Sequence, residues 1–158
     1  MMDKTTFDIR DILRMLPHRY PFLLVDRVVA VENDKQRLIA IKNVTYNEPY
    51  FPGHFPGLPT MPGVIMLEAM AQACGLLAIL KSDLRADSGF ILYFAGIDNC
   101  RFKRPVIPGD QLQFVVELDK HKRDLWKFKV TAHVGAELAC AAEMMCVLKD
   151  AHRSTAED

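Results

Sequence analysis

Residues 64–80 constrain this chain more than any other stretch: they run almost uninterrupted in Ala, Leu, Ile and Met, yet carry Glu68 and Gln72. Pro62 stands near the first helical position and Lys81-Ser82-Asp83 follows, so the pattern predicts one long helix. A helix that is apolar on every side does not lie on a protein surface; it needs apolar neighbours around its whole circumference. A bilayer would supply them, but the run is at the short limit for a span and a central carboxylate in hydrocarbon is costly. Burial within a protein core is therefore expected, with no membrane span.

The flanking segments supply the cover. Ile9, Ile12, Leu13 and Leu16 recur at helical spacing over residues 8–16 before Pro17 stops them, which predicts a short leading helix. Residues 22–31 and 37–44 are rich in Val, Ile and Leu around Glu32-Asn33-Asp34-Lys35 and read as a hairpin. Past the long helix, residues 90–102 supply another strand. Leu112, Phe114, Val116 and Leu118 then alternate with Gln111, Gln113 and Glu117, and Trp126, Phe128 and Val130 alternate with Lys127, Lys129 and Thr131. With the apolar run at 138–148 these form an antiparallel meander. Helix, two strands, long helix and four strands without βαβ alternation define an α+β class. A single curved sheet wrapped about the helix would cover most of it, and association with further copies the remainder.

At 158 residues, 50% apolar and 25% charged, the chain fits one domain over 1–158, with a core at about 8–149 and a frayed polar tail at 150–158. Lys plus Arg and Asp plus Glu balance at 20 each, so no global field favours nucleic acid, and any charged partner must meet a local patch. Cys74, Cys100, Cys140 and Cys146 show neither CxxC nor metal spacing and read as reduced core residues. Residues 1–10 lack the apolar centre of an export signal, which points to the cytoplasm. The eight methionines read as adaptable core and tunnel lining rather than metal ligands.

Three features carry chemistry. Glu68 is a carboxylate on an apolar helix, which needs compensation; such groups mark functional sites, although a structural Glu paired with a buried Arg or a backbone donor is the competing reading. Gln72 lies one turn later on the same face and is suited to orient it. His54 sits in Gly53-His54-Phe55-Pro56-Gly57, within a loop at 46–63 stiffened by five prolines and three glycines. Its side-chain type suits proton transfer near neutrality, against the alternative of an ordinary solvated loop histidine. Gly63 and Val64 open the long helix, where unpaired backbone N–H groups form an oxyanion site, a property any helix start shares. A base, a carboxylic acid, backbone donors and apolar walls suit proton removal beside a carbonyl with loss of a neighbouring hydroxyl, without metal or organic cofactor. No Ser or Cys stands beside His54 as a nucleophile, which leaves hydrolysis by activated water as a rival.

The same residues resemble a family, the FabZ-type 3-hydroxyacyl-acyl carrier protein dehydratases of bacterial fatty-acid synthesis. The likeness runs through Leu16-Pro17-His18-Arg19-Tyr20-Pro21-Phe22, Pro52-Gly53-His54-Phe55-Pro56-Gly57, Pro62-Gly63-Val64, Leu67-Glu68-Ala69-Met70-Ala71-Gln72 and Arg101-Phe102-Lys103-Arg104-Pro105, spanning most of residues 16–110. It implies the hot-dog fold, a curved antiparallel six-stranded sheet around a central helix, in dimers that assemble as trimers of dimers. It further implies that His54 from one subunit and Glu68 from its partner share a site. There His54 removes the C2 proton, Glu68 protonates the leaving 3-hydroxyl, and the Gly63 and Val64 amides hold the thioester oxygen. The related dehydratase/isomerase branch usually has aspartate at the Glu68 position, so isomerisation is disfavoured.

The implied substrate carrier is an acidic acyl carrier protein bearing an acyl-phosphopantetheine. Arg101, Lys103, Arg104, Lys120, Lys122 and Arg123 are the candidate docking charges, against the reading that they are solvated strand ends. His18, directly after a proline, reads as structural, and Arg19 and Asp26 as partners in a buried turn. Residues 90–93 are candidates to gate an acyl tunnel. Hydroxyacyl chains also feed lipid A, so an indirect role there follows by analogy. Thioesterases share this fold class, so an acyl thioesterase is the leading alternative and a noncatalytic acyl-binding module the next.

Overall fold

The computed structural model describes residues 4–84 and 88–151. Helix α1 (Ile9–Met15) leads into strands β1 (Arg27–Glu32) and β2 (Arg37–Asn43), then helix α2 (Gly63–Ser82). Strands β3 (Phe90–Phe102), β4 (Gln111–Lys122), β5 (Leu125–Val134) and β6 (Glu137–Asp150) follow. The six strands form one antiparallel sheet in the order β1-β2-β4-β5-β6-β3. The tail expected at 150–158 lies outside the described residues, apart from Asp150, which closes β6, and Ala151.

Alternation decides which face of the sheet turns inward. Leu112, Phe114 and Val116 on β4 and Trp126, Phe128 and Val130 on β5 are all buried and pack with Ala69, Ala73, Leu76 and Leu77 of α2 in one core. Register shifts at Val28/Ala30, Phe94/Gly96, Asp98/Arg101 and Leu118/Lys120 insert bulges that let long strands bend around the helix. Helix α2 is long and apolar enough to cross a membrane, but here the sheet wraps it.

Packing rather than capping holds α2. Its N-cap is Pro62, which makes no side-chain cap bond. A missing cap costs about 1 kcal/mol, whereas each buried leucine of the kind found at Leu76 and Leu77 contributes roughly 2–5 kcal/mol. The first amides of the helix can therefore stay unpaired without unfolding it. In α1 the opposite holds: the helix spans seven residues and depends on the Asp8–Asp11 capping box.

The strand expected over 22–31 begins only at Arg27. Residues 22–24 are apolar but lie outside any strand, with Phe22 in a bend, and part of their backbone bonds to a side chain. Gln72 Oε1 accepts from the Leu24 N–H at 2.8 Å, and Gln72 Nε2 donates to the Phe22 carbonyl at 2.6 Å. A buried amide thus supplies one rung of a strand, which pattern reading cannot distinguish from a real one.

Candidate active site

The His54 loop is irregular, so its position depends on anchors. Leu38, Ala40 and Lys42 point inward from β2, and Lys42 is only 5% exposed. Its ammonium meets Glu48 at 2.6 Å, and Glu48 also accepts from the Thr45 N–H at 3.0 Å. The pair ties the start of the loop to the sheet, and removing one partner would strand a buried charge. Phe51 fills the core in the middle of the loop, and the Met61 N–H donates to the Val106 carbonyl at 2.8 Å at its end. Gly57, at φ +75°, closes the turn in which Phe55 and Leu58 exchange backbone bonds of 2.9 Å.

These anchors present a half-buried imidazole in one tautomer. His54 Nδ1 lies 2.7 Å from the Thr60 carbonyl oxygen, which can only accept. Nδ1 therefore carries a proton and donates it, and in the neutral ring Nε2 holds the lone pair of a base. The ring stacks on Phe55 at 4.0 Å between centroids.

His54 lines a cavity together with Gly63, Val64, Phe102, Lys103 and Arg104. The Pro62 carbonyl accepts from Ile65 at 3.0 Å and Met66 at 3.1 Å, so the Gly63 and Val64 amides precede the first helical bonds. At Gly63 any Cβ would lie 2.8 Å from the Phe102 ring, which explains the glycine by close approach. Val64 is 72% exposed, a large apolar side chain left uncovered by its own chain.

Glu68 points into a different cavity, lined by His18, Gln72, Gly75, Phe94 and Cys146. Gln72 Nε2 donates to Glu68 Oε1 at 3.0 Å and also to the Phe22 carbonyl, so one amide bonds both the carboxylate and the segment at 22–24. His18 Nε2 lies 3.4 Å from the same oxygen. Burial works to raise the Glu68 carboxyl, but the His18 contact and the Gln72 bond outweigh it and hold the group below its ordinary value. Cys146, beside Glu68, is buried and its thiol is pushed up to about 12, by burial and by the neighbouring carboxylate. It is neutral at working pH and no nucleophile.

The single chain thus joins His54 to Gly63 and Val64, and Glu68 to Gln72, but the two groups line separate cavities. His18, read from the sequence as structural, touches Glu68; the Pro17-His18 turn brings it over the helix face that bears the carboxylate. Arg19 is exposed rather than buried and caps α1, donating to the carbonyls of Leu13, Leu16 and His18. Asp26 is exposed and accepts from the Asn43 N–H at 2.7 Å. Of the gate candidates, Phe90, Ile91 and Leu92 line the Glu68 cavity, whereas Tyr93 does not and is 46% exposed.

The six candidate docking charges do not converge. Arg101, Lys103 and Arg104 lie at the Phe102 end of the sheet, and Arg104 contacts Asp110 at 3.6 Å and Glu137 at 3.7 Å. Lys120, Lys122 and Arg123 are exposed at the far end of β4, a strand of 12 residues. Through the pairings Arg101↔Ala141, Ala141↔Thr131 and Thr131↔Val115, Arg101 lies level with Val115, so at about 3.4 Å per residue Lys120 and Lys122 stand roughly 17–24 Å further along the strand direction. Among the described residues no cluster of three or more His, Cys, Asp or Glu could hold a metal ion.

The family described as FabA-like domain matches residues 16–143. The chain is similar to the 3-hydroxyacyl-acyl-carrier-protein dehydratase FabZ of Aromatoleum aromaticum, with 58% identity over 142 residues, covering 90% of this chain and 97% of the relative. Among solved structures it is similar to the dehydratase heterocomplex ApeI:P from Xenorhabdus doucetiae, with TM-score 0.76, 18% identity and coverage of 92% and 97% of the two chains. It is also similar to the fluoroacetyl-CoA thioesterase FlK, with TM-score 0.62, 15% identity and coverage of 77% and 90%. At such identities the two structural likenesses speak to the fold alone: a hot-dog sheet around a central helix.

Proposed function

The chain belongs to the FabZ family of 3-hydroxyacyl-acyl-carrier-protein dehydratases, hydro-lyases of fatty-acid synthesis, and we propose that His54 and Glu68 are the pair that removes the water. The observation that carries this reading is the 2.7 Å bond from His54 Nδ1 to the Thr60 carbonyl, because it selects the neutral tautomer whose Nε2 carries the lone pair. Nε2 takes a proton from C2 of the acyl chain. The freed electron pair forms the C2–C3 double bond, the C3–O bond breaks, and the departing oxygen takes a proton from Glu68 and leaves as water. Negative charge gathers on the thioester oxygen as C2–H breaks, and the Gly63 and Val64 amides stabilise it. The product is a trans-2-enoyl thioester, with no net change in protons.

The site is completed between two copies of the chain. Supporting this, His54 and Glu68 line separate cavities of one chain. Strand β3 forms an edge of the sheet and exposes Tyr93, Phe94, Ile97 and Phe102, a long apolar edge of the kind that pairs with another strand. Trimers of such dimers, a cytoplasmic setting and an indirect link to lipid A supply follow from the family likeness. Mass spectrometry of a 3-hydroxyacyl thioester incubated with the protein tests the reaction class. Loss of 18 mass units, about one water, is expected; release of a free acid would indicate a thioesterase, and an unchanged substrate a binding module.

Carrier docking is assigned to Arg101 and Lys103, which are exposed beside the His54 cavity. Replacing both with alanine should raise KM for carrier-bound substrate several-fold relative to KM for a pantetheine surrogate. Added salt should produce the same rise in the unaltered enzyme, since exposed charge pairs are screened. An equal rise for both substrates, or no response to salt, would remove these residues from the docking surface.

A further inference from the structure

We propose that His18 is a positioning residue that shares a proton with Glu68 and so keeps the acid supplied with the proton it gives in the dehydration step. The inference rests on the acid role of Glu68. Glu68 Oε1 faces two donors, Gln72 Nε2 at 3.0 Å and His18 Nε2 at 3.4 Å. Among the described residues Oε2 makes no hydrogen bond, which leaves that oxygen to reach the substrate hydroxyl. The backbone that carries the imidazole is held from behind: Arg19 donates to the His18 carbonyl at 2.7 Å and to the carbonyls of Leu13 and Leu16, while Nδ1 of the ring is buried and, among the described residues, has no hydrogen-bond partner.

A general acid must hold a proton near neutrality. A carboxylic acid alone is ionised well below it, and the surroundings of Glu68 lower the carboxyl rather than raise it. A carboxylate and an imidazole in contact share one proton between them, so the 3.4 Å contact lets the pair carry a proton that the carboxylate alone would give up. The pair's one proton passes from His18 Nε2 to the carboxylate, and the carboxyl so formed gives it to the departing oxygen, leaving a neutral imidazole beside a carboxylate. The pair then regains one proton from solvent while His54 releases the one taken from C2, so the cycle balances. Among the described residues, the titratable groups lining this cavity are His18 on the turn after α1, Glu68 on α2 and Cys146 on β6. Cys146 stays neutral, and the facing residues of β3, Leu92 and Phe94, carry no charge.

The test is the pH dependence of kcat for the full-length His18→Gln enzyme, with a 3-hydroxyacyl pantetheine thioester as substrate and Glu68→Gln run in parallel. Glutamine keeps a donor near Oε1 but cannot hold an extra proton. KM should be little changed, kcat should fall about tenfold or more above neutrality, and it should recover as pH is lowered, so that the alkaline limb moves to lower pH. His18→Ala should show the same displacement, and circular dichroism checks that both variants are folded. A folded His18→Gln enzyme whose kcat is unchanged, or reduced by one constant factor at every pH, would overturn the proposal. If Glu68→Gln itself retains turnover, the acid assignment fails instead, which separates the two outcomes.

Discussion

Turnover of the His54→Ala and Glu68→Gln enzymes is expected to fall by about a hundredfold or more in each case, the loss associated with a positioned base or acid, while both remain folded. The loop that carries His54 is anchored by Glu48, Phe51 and Met61 through an ion pair, core burial and a backbone bond that do not use the His54 ring, so alanine should leave the backbone in place. Glutamine at position 68 can still accept from Gln72 through its amide oxygen, but it has no proton to give to a leaving hydroxyl. Combining the two substitutions should cost less than the product of the single losses, because base and acid act in one step. Steady-state kinetics with thermal unfolding as a control check this. A folded variant of either kind with near-normal turnover would remove that residue from the chemistry.

Much of this architecture is written locally in the chain, and what is not shows where local reading ends. The apolar run at 64–80 demands a wrapped helix, and the alternation in β4 and β5 states which face wraps it. Glu68 and Gln72 stand out because polar groups on such a helix require partners. Their partners were illegible, because they arrive from about fifty positions away: residues 22–24 read as strand, yet bond to the Gln72 amide. His18 looked structural for the same reason, since nothing near it in sequence indicates that α1 delivers the ring to Glu68. Lys42 did leave a signal. It occupies the inward phase of β2 after Leu38 and Ala40, and a lysine there calls for a buried carboxylate, which Glu48 provides. The basic residues carried no such information, because only the strand lengths and topology separate Lys103 from Lys122.

A site completed by two subunits is tested most directly by mixing two inactive enzymes. In a dimer of one His54→Ala chain and one Glu68→Gln chain, one site combines both defects. The other combines the intact His54 of the second chain with the intact Glu68 of the first. Random exchange of equal amounts makes half of the dimers mixed, so roughly a quarter of all sites should be whole and about that fraction of unaltered activity should return. The edge strand β3 and the exposed Val64 are where the two copies should meet, so exchange must be verified independently, by mass spectrometry of differently tagged chains. Recovery to about a quarter of normal turnover is the predicted result. Activity that stays at the level of the separate variants, with exchange complete, would contradict it and would mean that each chain builds its site alone.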